Sequence, residues 1–275
     1  MPNKLASLFI LIISITCLIG AAAPESQPPP NNPNNNLEFD YKIALKYSQE
    51  AIGKTIGDYT LTDSTGKTIS MAEFRGKPLV MSLIYTTCYH TCPMTTQHLA
   101  RVVRIARDAL GEDSFAVATI GFDTLFDSPE AMRYFATQQK VNINDWYFLS
   151  VTAKTINALI KDLGFTTFPS PRGHDHIVQA TVIDATGKIY QQVYGEVFDI
   201  PLLVEPLKQL VLGQAKPEQP FLEDLINKVR FFCTVYDPSR DAYHFDYSIF
   251  IGMFISGSII LLIIFFLVRE FLRKP

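Results

Sequence analysis

The chain has 275 residues, of which 48% are hydrophobic, and its 24 lysines and arginines stand against 27 aspartates and glutamates for a net charge of -3. A chain of this size and composition can bury a substantial core in one large or two small domains. The near-neutral charge gives no indication of nucleic-acid binding, and we expect no nucleic-acid partner.

The N-terminal residues resemble a targeting segment followed by a spacer. Residues 5–23 carry no charge, follow a lysine and end in three alanines, as is typical of a signal peptide. We assign residues 1–23 to a signal peptide, with a retained N-terminal anchor as the alternative. Cys17 lies inside the apolar run, which does not favour a lipid-attachment site. Residues 24–36 are rich in proline and asparagine and predict a linker.

Residues 37–215 have the composition of a globular domain in which strand and helix patterns alternate. The predicted strands are 58–61, 68–69, 79–85, 115–120, 146–149, 177–183 and 188–194, and the predicted helices are 94–110, 129–140, 153–163 and 202–212. This alternation, closed by a hairpin and a helix, predicts a mixed central sheet flanked by helices, an α/β fold of the thioredoxin-like kind. Within the first long helix, Arg101, Arg104 and Arg107 are expected to point away from the apolar face.

Two cysteines, Cys88 and Cys92, lie where the strand 79–85 passes into that helix. The amides and dipole of a helix N-terminus lower the pKa of a thiol, so these sulfurs are expected to ionise, exchange electrons or bind a soft metal. Their spacing lets both side chains face one way, close enough for a disulfide or for one shared ion. Three intervening residues, where thioredoxins have two, favour a ligand pair. A static disulfide or two buried thiols are the alternatives.

Histidines are the nearest further ligand candidates. His90 lies between the cysteines and His98 on the following helix, and for both a solvent-exposed side chain is the favoured interpretation. His174 and His176 lie in residues 169–176, a loop that we expect beside the cysteine turn. One of them could complete a site of two sulfurs and one nitrogen, which suits Cu(I) first and also Cu(II) or Zn(II). A surface histidine pair is the alternative.

The C-terminal part carries the clearest membrane signal. Residues 247–268 are 22 positions without a charged side chain, which is long enough for a transmembrane helix. Arg269, Arg273 and Lys274 follow with a single glutamate, so the positive-inside rule places the tail, 269–275, in the cytoplasm. The main domain is then expected outside the cytoplasm, in the periplasm of a Gram-negative cell.

Residues 216–246 are predicted to be a juxtamembrane segment. An amphipathic pattern at 222–229 is expected to pack on the domain or lie at the membrane surface. Cys233 and His244 flank a turn close to the membrane. They are candidates for a second metal site, with a packed turn as the alternative.

The sequence resembles the Sco/SenC family of copper-binding, thioredoxin-fold proteins that help to assemble the dinuclear copper site of cytochrome c oxidase. The resemblance covers residues 54–212. It rests on Cys88-x-x-x-Cys92-Pro93, on Phe122-Asp123 followed by Asp127-Ser128-Pro129, and on Asp175-His176 followed by an apolar strand that ends in Asp184-Ala185-Thr186-Gly187.

The resemblance implies metal ligands at Cys88, Cys92 and His176, with Asp123 in the acidic motif near the site, and copper as the ion. It implies a membrane-anchored copper chaperone whose partner is the copper-containing subunit of cytochrome c oxidase or of another membrane copper enzyme. A thiol–disulfide oxidoreductase that reduces the cysteines of the same client is the alternative, and a redox or copper sensor is a third. The chain departs from the usual N-terminally anchored member by its extension over 221–275.

Overall fold

The structure, a computed structural model, describes residues 39–171, 173–212, 226, 229, 233–240 and 242–273. The expected signal peptide or anchor at 1–23, the linker at 24–36, Cys17 and most of the amphipathic stretch at 222–229 lie outside the described residues. Those assignments stay predictions.

A mixed sheet forms the centre of the described domain. Its strands are β1 (Thr60–Asp63), β2 (Thr68–Ser70), β3 (Leu79–Ile84), β4 (Ala116–Gly121), β5 (Trp146–Ser150), β8 (Gln179–Ile183) and β9 (Ile189–Tyr194), while β6 (Thr167–Ser170) pairs with β7 (Gly173–His176) and β10 (Thr234–Asp237) with β11 (Ala242–Phe245). The seven strands of the main sheet lie in the order β2-β1-β5-β4-β3-β8-β9. Strands β3, β4 and β5 run parallel, and the outer pairs are antiparallel.

Helices flank this sheet. They are α1 (Tyr41–Gln49), α2 (Thr91–Leu110), α3 (Pro129–Gln138), α4 (Ala153–Asp162), α5 (Pro201–Leu212) and α6 (Ser248–Arg273). The predicted mixed α/β sheet of the thioredoxin-like kind is confirmed, and most predicted strands and helices lie within a few residues of the observed ones.

The two central strands are buried along their whole length because both faces of the sheet are covered. All six residues of β3 and all six of β4 are buried. The hydroxyls inside this layer are paired: Ser82 Oγ lies 2.9 Å from Thr119 Oγ1, to which Trp146 Nε1 donates at 3.0 Å. The carboxyl ends of β3 and β4 therefore stop side by side on a firmly packed support.

The arginines of α2 do not all behave as predicted. Arg101 and Arg104 are exposed, but Arg107 is only 3% exposed. Its guanidinium packs over the ring of Phe115, with Cζ 5.4 Å from the ring centroid. The prediction for Arg107 was wrong because a long aliphatic stem at the margin of an apolar stripe can itself cover apolar surface.

The segment 169–176 is not the predicted loop. It belongs to a hairpin in which Thr167 lies opposite His176 and Pro169 opposite His174. Gly173 has φ +116°, a conformation that favours glycine, and it lets the chain reverse within two residues. The histidines are thus carried by a strand, and β8 begins at 179 instead of the predicted 177.

Helix α1 had no counterpart in the predicted elements. The Asp40 side chain caps it by accepting from the N–H groups of Lys42 at 2.8 Å and Ile43 at 3.1 Å. Only Ala44 and Ser48 are buried. Because its buried positions are only these two small residues, the helix shows little apolar periodicity, and the sequence did not predict it.

The segment before the C-terminal helix packs on the domain as the hairpin β10–β11. Lys208 of α5 is 7% exposed, and its Nζ donates to the Thr234 carbonyl at 2.5 Å and pairs with Glu205 at 3.6 Å. Cys233 is buried, whereas His244 is exposed. These two side chains lie in different environments, so the packed-turn interpretation fits better than a second metal site.

Helix α6, 26 residues long, is the one helix of the described residues that is long and apolar enough to cross a membrane, and its most apolar 18 residues have a mean hydropathy of 2.8. It extends beyond the predicted span of 247–268 as far as Arg273. The hydroxyls of Ser256 and Ser258 donate to the carbonyls of Gly252 and Phe254, both at 2.8 Å, so the helix satisfies them itself. Such a helix has the surface that hydrocarbon requires.

Replacement of Lys208 by alanine should loosen the β10–β11 hairpin, because the substitution leaves the buried Thr234 carbonyl without its donor. We expect the opening free energy of the hairpin amides to fall by about 1–3 kcal/mol, measured by hydrogen exchange on the full chain in detergent. Lys46→Ala removes only an exposed ion pair with Glu50 and should change stability by less than about 0.5 kcal/mol. Equal hairpin protection in both variants would contradict this role of Lys208.

Candidate metal centre

The cysteine turn lies at the edge of the sheet where β3 ends. Helix α2 begins at Thr91, three residues earlier than predicted, so Cys92 lies in its first turn while Cys88 lies in the preceding loop. Cys92 is buried and Cys88 is half-buried, and both are free thiols. Only Cys88 is therefore open to an incoming group.

The two sulfurs differ in protonation because one hydrogen-bonds to the other. The Cys92 S–H donates to Cys88 Sγ and, together with the N–H groups of Cys92 and His90 and the hydroxyl of Tyr85, lowers the pKa of Cys88 to about 5. The Cys92 N–H···Cys88 Sγ distance is 3.3 Å. The Cys88 thiolate and burial raise the pKa of Cys92. The pair holds one thiolate and one thiol at neutral pH.

Tyr85 joins the cysteine turn to the histidine hairpin. Burial and the neighbouring Cys88 raise the pKa of Tyr85 to about 12, and its hydroxyl accepts from the backbone N–H of His174 while it donates to Cys88. The ring of Tyr85 also packs edge-on against the His174 ring, with centroids 5.1 Å apart. A Cβ on Gly173 would lie 2.8 Å from the Tyr85 hydroxyl, so this close approach requires glycine.

The two histidines of β7 have different hydrogen-bond partners. His174 lies 3.3 Å from Asp123 Oδ2 through Nε2 and 3.3 Å from Thr167 Oγ1 through Nδ1, so both ring nitrogens are engaged. His176 donates from Nδ1 to the Ile177 carbonyl at 3.0 Å, which leaves the Nε2 lone pair for a metal. Burial lowers the pKa of His176 and keeps the ring neutral. Of the two, His176 is the one equipped to act as a ligand.

Asp127 holds the cysteine turn in place, a role that the sequence analysis did not assign to it. Its carboxylate is 2% exposed and accepts from Thr86 N at 2.7 Å, Thr86 Oγ1 at 2.6 Å and Asp123 N at 2.8 Å. Burial raises the pKa of Asp127. A Cβ on Gly121 would lie 2.4 Å from the Asp127 Cβ, so β4 ends in glycine to admit this carboxylate. The motif Asp127-Ser128-Pro129 was the only sequence signal for it.

The other two histidines considered as ligands, His90 and His98, differ in their surroundings. His90 is exposed, as expected. His98 is half-buried instead of solvent-exposed, with Nε2 2.8 Å from the Phe198 carbonyl and its ring edge-on to the Phe198 ring. It secures the loop that follows β9.

An open cleft of about 530 Å³ separates the cysteine turn from the histidine hairpin. Its lining includes Cys88, Tyr89, His90, His174 and Asp175. Within the described ranges, no three His, Cys, Asp or Glu side chains are already grouped to hold a metal ion. His176 does not line this cleft, but the charge of Cys88 acts on its ring. The donor types, a thiolate, a thiol that can lose its proton and a neutral imidazole, fit a soft ion.

Alkylation of Cys88 should report its lowered pKa. Since the thiolate is the nucleophile, the rate with iodoacetamide should rise through a midpoint near pH 5 and fall below it as Cys88 is protonated. Cys92→Ala removes the S–H donor and should raise the midpoint, whereas Cys92→Ser keeps an O–H donor and should raise it less. Mass spectrometry of the labelled peptide measures each rate. A midpoint near the ordinary thiol value of 9.0 would contradict this arrangement.

Removal of the Asp127 carboxylate should destabilise the turn that carries Cys88. Asp127→Ala leaves the buried N–H groups of Thr86 and Asp123 unpaired, and we expect a loss of about 2–3 kcal/mol in the free energy of unfolding. Asp127→Asn keeps an acceptor oxygen and should cost less. Denaturant unfolding of the full chain in detergent provides the measurement, and equal stability of the alanine variant and the parent chain would refute the assignment.

Comparison with known proteins agrees with this geometry. A family model described as SCO1/SenC matches residues 48–211, more than half of the chain. The SCO1 protein homolog of Bacillus subtilis is 20% identical over 156 residues, which cover 54% of this chain and 77% of the homolog.

Solved structures show the same fold. Yeast Sco1 with copper bound is 16% identical and superimposes with a TM-score of 0.51 over 61% of this chain and 96% of its own. BsSco, described as a member of the Sco family of cytochrome c oxidase assembly proteins and as containing a disulfide switch, is 19% identical with a TM-score of 0.51 over 58% of this chain and 94% of its own. The fold and the extent of the family match establish that this chain belongs to the SCO1/SenC family.

Proposed function

We propose that this protein is a membrane-anchored copper chaperone, in which Cys88, Cys92 and His176 hold copper as cargo and release it to an apo copper protein. The client is the copper-containing subunit of cytochrome c oxidase or of another membrane copper enzyme. The observation that carries the proposal is the placement of a thiolate, its partner thiol and the uncommitted Nε2 of His176 at one edge of the sheet. Two sulfurs and one imidazole are donors that suit Cu(I) and can also hold Cu(II).

In the proposed copper complex, the histidine hairpin closes on the cysteine turn so that His176 joins Cys88 and Cys92. The hairpin is a two-stranded sheet of its own, so it can shift without breaking the main sheet. His174 and Asp123 tie it to the loop after β4, while Tyr85 contacts both sides of the cleft. These contacts hold the strand that carries His176 beside the cysteine turn.

Release follows from the unequal burial of the ligands. Cys88 borders the open cleft, so a client thiolate or imidazole can bind the copper there before the chaperone ligands leave. Stepwise ligand exchange of this kind avoids free copper and needs no change in oxidation state. The copper ion enters and leaves as cargo.

The C-terminal helix α6 anchors the protein in the proposed arrangement. Its apolar length fits a bilayer, and Arg269, Arg273 and Lys274 follow the apolar run. The copper domain then lies on the external side of the cell membrane. The copper domain can then contact a membrane-bound client whose copper site lies on the same side.

A thiol–disulfide oxidoreductase is the second candidate, and the unequal cysteine pair favours it. The Cys88 thiolate would attack a client disulfide, form a mixed disulfide and release one client thiolate. Cys92 would then pass its proton to the first client thiolate and attack the Cys88 sulfur, which releases the second client thiolate and leaves a Cys88–Cys92 disulfide, so this protein is oxidised by two electrons. The same reaction would prepare the client cysteines to receive copper, so the two functions are compatible.

Copper binding by histidine variants tests the chaperone proposal. In the full chain with reduced cysteines, His176→Ala removes a ligand and should weaken Cu(I) binding by about 100-fold, measured by chelator competition. His174→Ala is the matched control, and it should change the affinity by less than about tenfold. Equal losses in the two variants, or an unchanged affinity in His176→Ala, would contradict the ligand assignment.

The same variants separate the two candidate functions. If the protein acts by copper delivery, His176→Ala should stop copper delivery to the apo client while disulfide exchange by Cys88 continues. A His176→Ala protein that still supports metallation of the client would favour the oxidoreductase.

A further inference from the structure

Large apolar side chains protrude around the edge of the sheet where Cys88 lies. Tyr89 is 93% exposed, Leu125 87%, Val197 65% and Phe126 57%. We call these four residues the apolar rim. Side chains of this size rarely protrude together on a monomer unless the surface has a partner.

The rim residues share one face because three loops are tied together there. Strands β3, β4 and β9 run in the same direction, so the loops that follow them emerge at the same edge. Thr91 Oγ1 donates to Glu196 Oε1 at 3.0 Å, which joins the cysteine turn to the loop of Val197. The bonds of Asp127 to Thr86 join the same turn to the loop of Leu125.

These loops are acidic as well as apolar. The stretches 86–91, 122–130 and 195–200 contain five carboxylates and no lysine or arginine. Asp127 is buried, Asp123 pairs with His174 and Glu130 with Arg133, so Glu196 and Asp199 are the carboxylates that give this surface its negative charge. A surface of this kind attracts a basic face and repels an acidic one.

We propose that the apolar rim is the docking surface for the protein that receives copper, and that this acceptor presents an apolar centre edged by lysines or arginines. The inference rests on the proposed copper transfer. Ligand exchange at Cys88 brings the ligands of the acceptor to the copper, and the surface of the acceptor then covers the apolar rim. Docking then buries the four exposed side chains against the acceptor.

Two other occupants fit the charge less well. An anionic bilayer surface would face Glu196 and Asp199 beside the apolar rim and be repelled. A second copy of the chain, docked through the same face, would place carboxylates against carboxylates. A protein face that is both basic and apolar would pair with the carboxylates of these loops and cover the apolar rim.

Copper transfer kinetics test the docking surface. Full-length protein in detergent is loaded with Cu(I) and mixed with one of two acceptors: the apo, reduced soluble domain that carries the dinuclear copper site of a cytochrome c oxidase, or a small Cu(I) chelator. Leu125→Ser and Val197→Ser should each slow transfer to the protein acceptor by about tenfold and leave transfer to the chelator unchanged. Ile43→Ser is the matched control, since Ile43 is 67% exposed on α1, and it should change neither rate.

Salt and charge variants test the chemistry of the acceptor. Transfer to the protein acceptor should slow by about tenfold when salt is raised from about 50 to about 500 mM, and Asp199→Lys should slow it at low salt. Asp199→Asn should have a smaller effect of the same sign. Faster transfer in Asp199→Lys would overturn the proposed basic face.

The outcomes separate the docking surface from the copper site. Unchanged protein transfer in both rim variants, with normal copper loading, overturns the docking surface and leaves the chaperone proposal standing. Failure of the parent chain to load copper at Cys88 overturns both. Rim substitutions that abolish self-association of the chain, or transfer that requires nanodiscs of anionic lipid, would assign the rim to a second copy or to the bilayer and overturn the proposal.

Discussion

A buried carboxylate holds together the edge of the sheet where the cysteines lie. Asp127 comes from the loop after β4 and accepts three hydrogen bonds, two of them from Thr86 in the cysteine turn. It can enter only because Gly121 leaves space where any other side chain would collide with it. The contact joins the turn that carries Cys88 to the loop that carries Asp123, and Asp123 in turn reaches His174.

The cysteine turn and the histidine hairpin have complementary chemistry. The turn supplies a thiolate whose charge is stabilised by Cys92, by backbone N–H groups and by Tyr85. The hairpin supplies a neutral imidazole, because burial disfavours the charged form of His176. An open cleft lies between them, and the buried strands β3 and β4 lie behind the cysteine turn.

Features that depend on a local residue pattern were predicted correctly from the sequence. Features that depend on contacts between distant residues were not. The apolar run of β3 and the helical spacing of α2 placed Cys88 and Cys92 at a strand-to-helix junction, which the fold confirms. The strand β7 was not predicted because all four of its residues are partly exposed, so no alternation of buried and exposed positions marks it. The role of Asp127 depends on donors from Thr86, which is 41 positions away, and no local pattern records such a bond.

X-ray absorption at the copper edge tests the central claim most directly. The full chain with reduced cysteines is loaded with one equivalent of Cu(I), and the ligands of the metal are counted. The account predicts two sulfurs and one imidazole nitrogen, with the nitrogen lost in His176→Ala and retained in His174→Ala. A site of sulfur ligands alone, unchanged by either substitution, would contradict the proposed copper centre.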